Sequence, residues 1–172
     1  MSDFTTSARE RVIVLGLGNL LRGDEGLGIY ALERLQEKYI FPEDVLLVDG
    51  GTLGLDLLSY LEGAKLVLVL DAALTDGPPG TIWRASNNEV PAFFGMRTSP
   101  HEIALPDLLA LMRLRETGPR ELIVLGMQPA TIALGWGLSE AVSAHLDELA
   151  NAAADTLRKW GIEVKRRVAK QS

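Results

Sequence analysis

Four side chains in this sequence carry groups suited to chemistry: the adjacent carboxylates Asp24 and Glu25, the carboxylate of Asp71 and the imidazole of His101. Glu25, Asp71 and His101 together would offer two carboxylate oxygens and one ring nitrogen to a divalent cation. Three protein ligands leave coordination positions open for water or substrate, as catalytic metal sites do. The set suits Zn²⁺ or Ni²⁺, and affinity alone does not choose between them. Each residue also has a plain structural reading. Acids in the first turn of a helix interact favourably with its dipole, which would account for Asp24 and Glu25. Asp71 reads equally as a turn or capping aspartate, and His101 as a loop or helix-entry residue. The separations along the chain are long, so spacing by itself does not bring the three together. The second of the two histidines, His145, lies beside Val142, Leu146 and Leu149 and reads as a boundary or surface residue.

The sequence offers no acyl-enzyme machinery to set against this reading. The chain has no cysteine, so disulfides, thiolate zinc sites and a cysteine nucleophile are all ruled out. It has no Gly-x-Ser-x-Gly elbow, and only two histidines to serve as a base. The run Val12-Ile13-Val14-Leu15-Gly16-Leu17-Gly18-Asn19-Leu20-Leu21-Arg22-Gly23-Asp24-Glu25-Gly26 follows a strand pattern and leads into a helix pattern, as a dinucleotide-binding fingerprint would. Leu21, however, occupies the third glycine position, where a side chain would crowd the helix–strand contact. Asp24 and Glu25 stand where a pyrophosphate would approach, and two carboxylates repel a phosphate. Nucleotide binding is disfavoured.

These groups must be positioned by elements that the apolar pattern makes legible. Short Val-, Ile- and Leu-rich runs at 11–15, 45–48, 66–70, 81–84 and 122–125 read as buried strands, most of them closed by Gly, Asp or Pro. Helical spacing of apolar residues appears over 29–39, 53–61, 105–114 and 139–160, with Ser139 and Glu140 as the N-terminal cap of the last helix. This alternation predicts an α/β fold, a doubly wound sheet with helices on both faces. Only nine residues, including Gly77-Pro78-Pro79-Gly80, separate Asp71 from Thr81. That is too short for a parallel crossover, so the fourth strand is expected antiparallel to the third and the sheet mixed. Asp71 would then end a buried strand on the edge where open α/β sheets bind ligands. If strands one and three are parallel neighbours, the loop of Glu25 opens on the same edge.

The chain of 172 residues fits one domain, 1–172, with flexible tails expected at 1–10 and 165–172. Its net charge of −6 argues against nucleic acid as a partner. The longest apolar runs fall far short of the roughly 20 residues that span a bilayer, and residues 1–10 have no apolar signal-peptide core. A cytoplasmic monomer without membrane attachment is expected.

The segment Gly16-Leu17-Gly18-Asn19-Leu20-Leu21-Arg22-Gly23-Asp24-Glu25-Gly26-Leu27-Gly28 closely resembles the opening motif of the hydrogenase maturation endopeptidases. Asp49-Gly50-Gly51-Thr52-Leu53-Gly54, Ser99-Pro100-His101, and Gly126-Met127-Gln128-Pro129 followed by Gly137-Leu138-Ser139 match the same family in order, over roughly residues 11–164. The resemblance implies a three-layer α/β/α fold around a mixed five-stranded sheet. It implies removal of a C-terminal extension from a hydrogenase large-subunit precursor after nickel insertion. The family's metal-binding acids and histidine fall on Glu25, Asp71 and His101, which makes these the expected catalytic and metal-engaging residues. Asp24 is then a neighbour, and Asp49 either shapes the cleft or is structural. Nickel is expected to arrive with the precursor, with zinc or another divalent ion able to substitute in vitro. Metal-assisted hydrolysis follows, a carboxylate or an activated water attacking the polarised carbonyl. A non-catalytic chaperone that checks the precursor for nickel is the alternative. Phe93, Phe94 and Met96 form either a partner-facing patch or a local core.

Overall fold

The computed structural model describes residues 10–51, 53–90 and 105–168. Five strands form one sheet: β1 (Val12–Leu17), β3 (Val45–Gly51), β4 (Leu66–Ala72), β5 (Ile82–Ser86) and β6 (Glu121–Met127). Their order is β3-β1-β4-β6-β5. The pairs β1–β3, β1–β4 and β4–β6 are parallel, and β5 runs antiparallel to β6. Helices α1 (Leu27–Lys38), α2 (Leu57–Leu61), α3 (Leu105–Leu114), α4 (Glu140–Ser143) and α5 (Leu146–Lys159) flank it. A two-residue strand β2 (Tyr39–Ile40) pairs with β7 (Lys165–Arg166) apart from the main sheet.

The two-residue period of the strands divides the core into two layers. Val12, Val14, Leu66, Leu68, Leu70, Ile123 and Leu125 face α1 and α5. Ile13, Leu15, Val67, Val69, Leu122 and Val124 face α2 and α3. Both faces are apolar, so the strands read as unbroken hydrophobic runs, as doubly covered strands must. On α5, Leu146, Leu149, Ala150, Ala153, Ala154 and Leu157 are buried at helical spacing, and the alanines among them allow close approach to α1. The α/β/α architecture and mixed sheet are as the sequence led one to expect.

Two details differ from the sequence reading. The antiparallel strand is not beside the third: β6 lies between β4 and β5, and the short 73–81 segment passes across its end. Gln128 stitches that segment down. Its main chain accepts from the Gly80 amide and donates to the Thr81 carbonyl, and its side-chain oxygen accepts from the Thr75 amide. The long final helix is interrupted at Ala144 and His145, where the His145 amide bonds Val142 three residues back and the His145 ring packs over Gly80. The segment after Val164 returns to the end of α1. Lys165 and Arg166 pair with Ile40 and Tyr39, the Arg167 amide donates to the Lys38 carbonyl, and its Nε donates to that of Gln36.

The contact between α1 and the sheet is too tight for a side chain. A Cβ on Gly28 would be driven onto the carbonyl oxygens of Leu17 and Leu70, both of them backbone. Gly28→Ala therefore forces α1 off β1 and β4, and a loss of about 3 kcal/mol is expected. Urea unfolding should show this as a lower midpoint at an unchanged slope.

Candidate functional site

The order β3-β1-β4 puts a topological switch point between β1 and β4. The chain leaves β1 toward β3 on one side and returns to β4 on the other. In open α/β sheets, ligands bind at the carboxyl ends of the strands beside such a point. The turn Gly23–Gly26, which carries Asp24 and Glu25, follows β1 and packs against β4. Asp71 is the penultimate residue of β4, paired in register with Gly126 of β6 and fully buried. The strand's alternation aims it with Val67 and Val69 toward the α2–α3 side. The acids of Glu25 and Asp71 thus come from the two strand ends that flank the switch point. His101 lies outside the described residues; α3, on the side toward which Asp71 points, starts four positions after it. Phe93, Phe94, Met96 and Thr52 also lie outside them.

Glu25 is mostly buried, with 19% of its side chain exposed. Its Oε2 is buried and accepts no hydrogen bond among the described residues, although Arg22 Nε lies 3.2 Å away as an ion pair. The geometry explains the difference: Arg22 Nε donates to the Ile132 carbonyl at 3.3 Å and so does not aim its hydrogen at the carboxylate. The loop before Glu25 is rigid for local reasons. Asn19 Oδ1 accepts from the Leu21 amide, the Asn19 amide donates to the Glu25 carbonyl, and Gly18, with φ at +136°, has no room for a Cβ against that same carbonyl. Leu21 does not crowd the helix–strand contact, as its place in the fingerprint suggested. It is 57% exposed, and Gly28 makes the close approach instead.

Asp24 plays a part that its helix-dipole reading missed. It is fully buried and makes no cap to its own helix. Its Oδ2 accepts from the Ala130 amide at 2.8 Å, the Thr131 amide at 3.1 Å and the Ser139 hydroxyl at 2.8 Å, while Oδ1 accepts from the Ser139 amide at 2.7 Å. Burial raises its pKa, but the hydrogen bonds from Ser139, Ala130 and Thr131 outweigh burial and hold it below the ordinary aspartate value. Four hydrogen bonds thus commit the Asp24 carboxylate to holding the 130–139 segment. Ser139 serves both ends at once, since its hydroxyl also accepts from the Val142 amide as the cap of α4. The two loops are further joined by Gly23 to Gly135, Asp24 to Thr131 and Gly135 to Leu21 main-chain bonds.

Sequence reasoning missed Arg22, Ser139 as an Asp24 partner, and Gln128. The Arg22–Glu25 pair is local, three positions apart, but Arg22 to Ile132, Ser139 to Asp24 and Gln128 to Thr75 span 53 to 115 residues, which no local pattern signals. Asp49 is exposed on the edge strand β3, in register with Gly16, which pairs on its other side with Leu70, the residue before Asp71. His145 is at the surface, with Nδ1 3.0 Å from Glu148 Oε2. Among the described residues no helix is long and apolar enough to cross a membrane.

A family model described as hydrogenase maturation protease matches residues 29–156. The chain belongs to the hydrogenase maturation protease family. Hydrogenase expression/formation protein HupD of Rhodobacter capsulatus is 40% identical over 157 residues, covering 90% of this chain and 75% of the relative. The hydrogenase 2 maturation protease of Escherichia coli is 34% identical over 154 residues, covering 89% of this chain and 94% of its own. Among solved structures, the hydrogenase maturating endopeptidase HybD from E. coli superposes with a TM-score of 0.87 at 34% identity, over 91% of this chain and 98% of that one. The [NiFe] hydrogenase maturation protease HybD from Thermococcus kodakarensis gives 0.68 at 27% identity, over 85% and 98%. As a hydrogenase maturation protease the chain is a peptide hydrolase, and its mixed five-stranded sheet is the fold of those endopeptidases.

Proposed function

We propose that this protease removes a C-terminal extension from a hydrogenase large-subunit precursor and recognises the nickel already held by that precursor through Glu25, Asp71 and His101. Family membership supports the hydrolysis of a peptide bond in hydrogenase maturation. The single observation behind the site is the arrival of Glu25 and Asp71 at strand ends on either side of the switch point. The buried Glu25 Oε2, which accepts no hydrogen bond among the described residues, suits a carboxylate that completes its coordination only when a cation is presented. Two carboxylates and an imidazole fit nickel, and they fit zinc as a substitute.

On this reading the precursor's nickel is part of the substrate. Glu25, Asp71 and His101 grip it from the protease side, which aligns the scissile peptide beside the carboxyl edge and converts recognition into orientation. Cleavage adds water across the polarised peptide carbonyl. The protein acts in the cytoplasm as a monomer, with the precursor as its partner. Incubating the purified protein with nickel-loaded and nickel-free precursor, followed by intact mass, tests this. Loss of the extension from the nickel-loaded form alone is expected. Equal cleavage of both forms would remove nickel recognition, and a stable complex without any cleavage would favour the nickel-checking chaperone.

A further inference from the structure

The loop at 130–138 presents large apolar side chains to solvent on a backbone that is firmly held. Leu134 is 87% exposed, Trp136 74% and Ile132 44%, and Leu21 of the facing loop is 57% exposed. Such exposure in a mobile loop would mean little. Here Asp24 and Ser139 clamp the loop from beneath, and the Gly23–Gly135 and Gly135–Leu21 main-chain bonds fasten it to the turn of Glu25. A buried, ionised aspartate is spent on holding apolar residues out in water, where they contribute nothing to the core. The fold keeps these side chains in place against the hydrophobic effect, which otherwise drives them inward.

The patch is continuous with the candidate site. Arg22 Nε sits between the Ile132 carbonyl at 3.3 Å and Glu25 Oε2 at 3.2 Å, so one side chain links the apolar rim to the carboxylate. We propose that Leu21, Ile132, Leu134 and Trp136 form the docking surface for an apolar segment of the large-subunit precursor next to the bond that is cut. This rests on the reading that the precursor is processed at the Glu25–Asp71 edge. An enzyme that cuts one bond in a large protein must first hold that protein, and contacts away from the bond supply uniform binding energy that lowers KM. A pre-ordered rim loses little entropy on binding, and a central tryptophan is the residue type that dominates such contacts.

The test compares wild type with the Leu134→Ser/Trp136→Ser double variant on nickel-loaded precursor. Both side chains are exposed, so the thermal midpoint should not move. KM for the precursor should rise at least about tenfold, with kcat at saturation unchanged, because contacts made equally in ground and transition states set KM alone. An unchanged KM would overturn the proposal, as would normal KM accompanied by loss of a wild-type dimer, which would make the patch a self-association surface. A second measurement does not depend on cleavage. The chain has no cysteine, so Leu134→Cys carries a single environment-sensitive dye. Added precursor should shift its emission to the blue as the site becomes covered, and no shift would overturn the proposal. A blue shift without any cleavage of the precursor would leave docking intact and sink the proteolytic reading instead.

Discussion

Glu25→Gln folds as the wild type does and processes the nickel-loaded precursor at least roughly a hundredfold more slowly, the lower end of what a directly acting catalytic group contributes. The substitution keeps the side-chain volume and removes only the charge. Stability should hardly change, because the carboxylate's ion pair among the described residues is with Arg22, whose side chain is 43% exposed. With the Arg22 partner open to solvent and its Nε aimed at the Ile132 carbonyl, the pair contributes on the order of 1 kcal/mol. The predicted defect is therefore chemical. His101→Ala should share it, since an imidazole lost from a three-donor set leaves the cation with oxygens only. Single-turnover assays followed by mass spectrometry, with a urea titration alongside, separate the two effects. Processing at the wild-type rate by Glu25→Gln would clear Glu25 of any role at the metal.

The second large effect is on stability. Asp24→Ala should cost about 4 kcal/mol, because it strands the amides of Ala130, Thr131 and Ser139 and the Ser139 hydroxyl where a buried charge had received them. Asp24→Asn should be nearly as damaging. Its amide NH₂ would face donors on at least one side, and no flip of the group presents two acceptor atoms. Hydrogen exchange gives the local readout: the Ala130, Thr131 and Ser139 amides should open far faster than those of β4. The pH dependence follows from the lowered pKa of Asp24. The unfolded chain binds the proton more readily than the native state does. The contribution of Asp24 is thus complete above the unfolded value of about 3.9, and is lost as the pH falls through the lower native value. The wild type should weaken on acidification below roughly pH 4, and in Asp24→Asn that part of the stability curve should flatten.

Much of the architecture was legible because burial on both faces of a sheet forces a continuous apolar run. The strand cores at 45–48 and 66–70 lie wholly within β3 and β4, and β4 extends through Asp71 to Ala72. α3 spans the range its spacing indicated, and Ser139 caps a helix as its type suggested. The antiparallel direction of β5 was readable from chain length alone. Its neighbour was not, because a nine-residue connection limits reach and direction but not which strand arrives to fill the gap. The division of the final helix was also invisible, since the apolar spacing runs on through Ala144 and His145 and only the turn at Gly80 marks the break.

Sequence by itself determined the strand and helix alternation, the family resemblance and which groups are proposed to meet a cation, since these depend on residue type and near-neighbour order. Tertiary structure alone decided which strand ends share an edge, and so that Glu25 and Asp71 flank one switch point. It also decided that Asp24 faces inward to hold a distant loop while its neighbour Glu25 stays partly open. Adjacent residues on a tight turn point in different directions, and what each one meets is set by chain more than a hundred positions away.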